Sequence, residues 1–322
     1  MGQGEELKTR PDPKVEIQER GEIFFFYRPK VEREEAQSPD DVQRLYIVLR
    51  PESGERAVEE KQASDSGKEG EKRSKSDEEG GRGKKKVEHV GEGTEGGHGS
   101  EEVNIEKQPL LRFMVMGRKR LPDPSKRSRP YWGFVEMVTT KVEDIKTALK
   151  GEEYDTATRG HRRKSPARAL AEGIYRILRH QSGRKTHTHL VYKLEFPPAD
   201  ADDGPQESLN IEREGSFVIQ IKNPEQKSST AYFRGLQSKR KAVFPAHLQG
   251  QLGQRRFGPA DPPDFLNYEG CEFLLISASD DIGEELGLEL RTEEEGDQKC
   301  SDLIEMFGET ASSRPLLRGT WV

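Results

Sequence analysis

Residues 186–196 (THTHLVYKLEF) alternate in polarity with a period of two, and this strand pattern constrains the fold more than any other stretch. Thr188, Leu190, Tyr192, Leu194 and Phe196 share one face; His187, His189, Val191, Lys193 and Glu195 share the other. That describes a half-buried strand with a mostly polar outer face. Residues 216–222 (SFVIQIK) repeat the pattern, with Phe217, Ile219 and Ile221 inward.

Strand-length apolar runs recur along the chain. Residues 21–28 (GEIFFFYR) and 45–49 (LYIVL) lie on either side of a turn-like Ser38-Pro39-Asp40-Asp41 and read as neighbouring strands. The second is apolar on both faces, which predicts burial on both. Residues 110–116, 131–139, 174–179 and 271–277 are further strands. Helical periodicity is confined to residues 142–149 and to the face Leu303, Ile304, Phe307, which stops at Gly308. Asp280-Asp281 before Ile282 reads as a helix N-cap and first-turn pair. The expected fold is mainly β: an antiparallel sheet, sandwich or partly closed barrel with a few short helices, α+β being the alternative.

One stretch does not fit that picture. Residues 52–108 are Glu-, Lys-, Gly- and Ser-rich and hold no aromatic residue, so they bury too little apolar surface to offset the entropy of ordering. The expected organisation is a flexible N-terminus (1–20), a first strand pair (21–51), a disordered insert (52–108) and the rest of a single β-rich domain (109–322). A long flexible loop closes at only about 0.6 kcal/mol per doubling of length, so such an insert need not disturb a core.

Charge is sorted along the chain. The net charge is −6, yet residues 112–256 hold 29 Lys/Arg against 16 Asp/Glu, and residues 257–322 hold 4 against 16. This fits either polyanion binding or mutual attraction of the two halves. Two cysteines make no disulfide framework, no apolar stretch is long enough to span a bilayer, and the N-terminal residues carry neither an acylation signal nor a signal-peptide apolar region. Cytoplasm and nucleus are the expected compartments, with no membrane partner.

The blocks GEIFFFYRPKV (21–31), VQRLYIVLRPE (42–52), GRKRLPDPSKRSRPYWGFVEMVTT (117–140), HTHLVYKLEF (187–196), NYEGCEFLLI (267–276) and PLLRGTWV (315–322) resemble a family of uncharacterised plant proteins. They cover most of the part expected to fold. The resemblance implies a plant source and an intracellular protein, and it carries no activity, cofactor or site residue.

Four groups of residues are candidates for chemistry. His187-x-His189 places two imidazoles on one strand face, where a third ligand from His180, Glu195, His161 or Cys271 would be needed to hold a metal. No C-x-x-C or H-E-x-x-H spacing supports one, so the reading is a solvated polar face with no metal and no cofactor. The second group comprises two basic stretches. Residues 117–129 carry Arg118, Lys119, Arg120, Lys126, Arg127 and Arg129, followed by Tyr131 and Trp132. Residues 159–185 carry Arg159, Arg162, Arg163, Lys164, Arg168, Arg176, Arg179, Arg184 and Lys185, with Glu172 as the only acid. Such cations neutralise phosphates, although Tyr131 and Trp132 open an apolar strand and read as core.

The third group, Lys72-Arg73 followed by Lys84-Lys85-Lys86, has the spacing of a bipartite nuclear import signal; the competing reading is a Lys-rich solvating linker. The fourth, the glycine runs of residues 80–99, lacks a preceding strand and any Gly-Lys-Ser/Thr, and so reads as no phosphate loop. Cys271 reads as a buried small hydrophobe, and no G-x-S-x-G is present.

These features favour a non-enzymatic binding module. Its basic loops 117–129 and 159–185 would engage nucleic acid or an acidic protein surface through Arg118, Lys119, Arg120, Arg127, Arg129, Arg162, Arg163, Lys164 and Arg179. The alternative is an enzyme or small-anion-binding protein with an Arg/His-lined pocket at one end of the sheet, where His187 or His189 does acid–base work. Pairing of the basic residues with acids of 257–309 would support neither.

Overall fold

A computed structural model describes residues 4–52, 55–59, 100–105, 107–126, 128–158, 160–183, 185–198, 201, 203–226, 235–292 and 301–321. The elements are β1 (Glu5–Lys8), β2 (Val15–Pro29), β3 (Val42–Pro51), β4 (Glu55–Glu59), β5 (Ser100–Asn104), β6 (Leu111–Met116), β7 (Tyr131–Thr139) and α1 (Val142–Leu149). There follow β8 (Glu152–Thr156), β9 (Gly160–Lys164), β10 (Arg168–Ser182), β11 (Lys185–Phe196), α2 (Gly204–Ser208), β12 (Glu214–Lys222), α3 (Ala246–Leu252) and β13 (Phe257–Pro259). The chain ends with β14 (Glu272–Ser279), α4 (Ile282–Leu286), β15 (Leu288–Arg291), α5 (Asp302–Phe307) and α6 (Arg314–Arg318).

Eight antiparallel strands close into a barrel in the order β2, β3, β6, β7, β14, β12, β11, β10, the last pairing back onto β2. Closure joins β11 to β12, for example His189 opposite Val218 and Lys193 opposite Glu214. Full closure leaves no open sheet edge, which a partly closed barrel would have kept. The period-two pattern sorts the side chains. Ile23, Phe25, Tyr27, Ile47, Leu49, Leu190, Tyr192, Phe217, Ile219 and Phe273 pack in one inner cluster.

The outward residues are covered as well. Phe24, Phe26, Val48 and Phe113 meet Ile145 and Leu149 of α1, Phe307 of α5 and Leu316 of α6. On the other side Ile174, Leu178 and Val191 are covered by Ile282, Leu286, Leu288 and Leu290. Residues 45–49 are thus buried on both faces, as their composition requires. The outer face of 186–196 departs from expectation: His189 and Val191 are buried, because α4 and β15 lie over them.

The barrel interior also holds charge. Arg112 donates to Glu19 through Nη1 at 2.5 Å and Nη2 at 2.9 Å, and through Nε to Asn267 Oδ1 at 2.7 Å. The Tyr175 hydroxyl donates to the same Glu19 at 2.7 Å. The pair lies near one barrel mouth, which the segment Pro263–Asn267 fills with Phe265 and Leu266.

The structure shows order beyond three sequence boundaries. Residues 5–8, in the segment expected to be flexible, pair with β15, and β2 begins at Val15 rather than at Gly21. Charged Glu16, Glu19 and Arg20 hid that part of the strand. Within 52–108, β4 and β5 pair with each other, and Val103 and Ile105 join the inner cluster. Residues 60–99 lie outside the described residues. The basic segment that reads as a loop after residue 159 forms β9, paired with β8 in an exposed hairpin.

Candidate functional site

The registers sort the loops between two rims. The ends of β2, β6, β11 and β14 and the starts of β3, β7, β10 and β12 share one rim, termed upper here. Both basic stretches open there. Loop 117–130 joins β6 to β7, and the β8–β9 hairpin is tied to the β2–β3 loop by Glu32 N donating to Arg163 O at 3.0 Å. Arg179 stands apart at the lower rim, where β10 ends.

Most cations of the second stretch are already occupied. Arg163 pairs with Glu34 at 2.8 Å, Arg162 lies 3.7 Å from Glu32, and Lys164 pairs with Glu152. Arg179 holds Asp261 at 2.7 Å and Glu16 at 2.9 Å. Arg176 is buried against Glu6 and ties β1 to the wall, and Arg168 donates to the Glu34 carbonyl at 2.7 Å. Self-pairing therefore absorbs this stretch, mostly through acids at positions 6–34 and 152–153; Asp261 is the exception from the acidic C-terminal segment. Arg159 and Arg184 lie outside the described residues.

The first stretch is different. Arg118, Arg120 and Arg129 are exposed, and none has a carboxylate partner among the described residues. Arg118 lies over the Tyr131 ring with its Cζ 4.5 Å from the centroid, while Lys119 donates to the Asp40 carbonyl at 3.2 Å. Lys126 is neutralised by Asp123 at 2.8 Å, and Arg127 lies outside the described residues. Tyr131 is buried in the inner cluster, and Trp132 donates through Nε1 to Glu272 at 3.0 Å. Both aromatics belong to the packing, so the loop presents cations rather than a stacking platform. Sequence reasoning missed Arg44, exposed on β3, which the β3–β6 register carries opposite the first residues of this loop. Its single charge beside an apolar run gave no signal.

The loop has an acidic neighbour. Burial raises the Glu212 carboxyl above its usual range, and the charges of Asp123, Glu207, Asp203 and Asp280 raise it further. The upper rim is therefore polarised, with the cations of 118–120 and 129 beside carboxylates of the β11–β12 connection.

The histidines lie on the outside of the barrel, His180 and His187 toward the lower rim and His189 midway along the wall. His180 is opposite His187 in the β10–β11 ladder, and its ring centroid is 5.4 Å from that of His189. His189 Nδ1 is 3.0 Å from Ser216 Oγ and 3.7 Å from Glu285 of α4. Burial, then the neighbouring His180 and His187, lower its pKa to about 3, so it is neutral at physiological pH. Among the described residues no group of three or more His, Cys, Asp or Glu is arranged to hold a metal ion. His187 and His189 thus share a face of β11, as the alternation predicts, and that face lies on the outside of the barrel wall, whereas loop 117–129 opens at the upper rim. Burial raises the Cys271 thiol far above its usual range, as suits an inert core residue. Among the described residues no helix is long and apolar enough to cross a membrane. The import candidates Lys72, Arg73, Lys84, Lys85 and Lys86 lie outside the described residues.

No protein-family model, curated protein or solved structure matches the chain significantly.

Proposed function

We propose that the protein is a non-enzymatic binding module that engages a polyanion at the upper rim through Arg118, Arg120 and Arg129, with Arg44 and Lys119 beside them. The observation that carries this reading is the contrast in pairing. Hairpin cations 162–164 spend their charge on Glu32, Glu34 and Glu152, whereas Arg118, Arg120 and Arg129 meet no carboxylate among the described residues. Exposed guanidinium groups pair bidentately with phosphate or carboxylate, so the ligand class is a chain of anionic groups. The adjacent acids around Glu212 restrict contact to one side of the rim and disfavour indiscriminate binding to any anionic surface. An Arg/His-lined pocket has less support, because the histidines lie on the outer face of the β10–β11 wall, with His189 buried beneath α4, while the loop arginines are exposed at the upper rim.

The test is a titration with a fluorescent single-stranded oligonucleotide at several salt concentrations, with polyglutamate as competitor. A nucleic-acid ligand gives salt-sensitive binding that polyglutamate displaces poorly. An acidic protein surface as ligand gives displacement at comparable charge. Absence of binding to either at low salt overturns the reading.

A further inference from the structure

The C-terminal arm is held to the barrel wall by more carboxylates than cations. Arg50 of β3 contacts both Glu22 of β2 and Asp302 at the start of α5. The two acids are also within hydrogen-bonding reach of each other, and all three side chains are largely withdrawn from water. One strand away, buried Glu172 of β10 accepts from the Ser301 hydroxyl and from Leu303 N–H at 3.1 Å. Glu195 of β11 adds negative charge on that side. Below these contacts Phe307 lies edge-on against Phe24 and Phe26, with centroids 5.9 and 5.6 Å apart, and Met306 Sδ touches Arg50 at 3.1 Å.

Among the described residues, Glu22 and Asp302 share the one cation Arg50, and Glu172 is paired with no cation. If all three acids were ionised, the docked arm would bring uncompensated negative charge into a wall poor in water, which is costly. The Leu303 N–H at the start of α5 offsets part of this by donating to Glu172.

We propose that α5 docks on the barrel with uptake of a proton at Glu22, the carboxylate that Asp302 of the arm faces, so that the arm is clasped in mildly acidic solution and loosened in alkaline solution. The surrounding electrostatics agree. Burial raises Glu22 to about 8, with Asp302 adding to the rise against the pull of Arg50. Burial likewise raises Glu172 to about 7 despite its two hydrogen bonds. An acid whose pKa is raised in the docked state binds a proton there that the released state lacks, from its ordinary value of 4.5 up to the raised one. Docking is therefore strongest below that window, weakens as pH rises through it and levels off above. Release would uncover Phe24 and Phe26, which makes the clasp a pH-dependent gate over an aromatic face.

Hydrogen–deuterium exchange on the full chain tests this, corrected for the intrinsic pH dependence of amide exchange. Amides of residues 303–307 are expected to lose protection by about tenfold per pH unit for each proton released, from pH 6 to pH 8, while β2 and β3 amides do not change. Glu22→Gln keeps the shape and removes the titration, so its protection should vary less with pH and exceed wild type at pH 8. Asp302→Asn, on the arm and outside the barrel, should flatten the same profile. Wild-type protection independent of pH, or the wild-type slope retained in both variants, would overturn the proposal.

Discussion

Arg112 and Glu19 form a fully buried bidentate ion pair inside the barrel, with contacts of 2.5 and 2.9 Å and no side-chain exposure on either partner. Asn267 accepts from Arg112 Nε and Tyr175 donates to Glu19, so the pair is part of a network rather than an isolated contact. Removing one partner leaves the other charge uncompensated. Arg112→Met is expected to cost about 3–5 kcal/mol in denaturant unfolding. Arg112→Met combined with Glu19→Met should cost less than the sum of the single changes, because no lone charge is left.

A second prediction concerns acid. The His189 pKa is depressed from 6.5 to about 3, so between these values the unfolded chain binds a proton that the folded chain does not. Stability from this group is present above pH 6.5 and is lost as pH falls through that window. The charges facing it are His180, His187 and, from α4, Glu285, with Arg10 acting on His180. His189→Gln should flatten the acid limb of a stability–pH curve measured by urea unfolding. An unchanged limb would assign the acid sensitivity to other groups.

Gly173 sits at a register shift in β10, where a Cβ would lie 2.1 Å from the Lys193 carbonyl oxygen. The three nearest atoms are all β11 backbone at Lys193 and Leu194, so nothing flexible is there to yield. Gly173→Ala should force β10 and β11 apart and lower stability by about 2–3 kcal/mol, readable as a fall in Tm. Gly183, whose Cβ would meet nothing within 4 Å, is the comparison for simple loss of glycine, although its φ of +60° adds strain of its own.

The cap of α4 is testable in the same way. Asp281 accepts from Glu284 N–H at 2.7 Å, as the Asp280-Asp281-Ile282 sequence anticipates. Asp281→Ala should cost about 1 kcal/mol and raise amide exchange in α4 before the barrel strands.

These cases show which parts of the structure could be read from the sequence. Phe217, Ile219, Ile221 and Leu190, Tyr192, Leu194 were legible because a strand repeats every two residues whatever its neighbours are. Closure of β11 onto β12 was not, since pairing across the barrel leaves no local pattern. Glu19 and Arg112 look like surface residues in sequence; only the fold turns both inward to meet each other. The β8–β9 hairpin is polar on both faces and carries no apolar period to detect. The charge sorting correctly marked 117–129 and 159–185 as basic. What it could not show is that Glu32 and Glu34, far upstream, would reach Arg162 and Arg163 while Arg118 and Arg120 meet no acid among the described residues.

That contrast within one rim is the central claim, and the salt dependence of oligonucleotide binding tests it most directly. The Arg118→Ala, Arg120→Ala, Arg129→Ala triple variant should bind more weakly and reduce the slope of log K against log salt by about 0.7 per lost phosphate contact, or about 2 in all. The Arg162→Ala, Arg163→Ala, Lys164→Ala variant, whose cations are already paired, should leave that slope close to wild type. A wild-type slope in the loop variant, or a larger loss in the hairpin variant, would contradict the account.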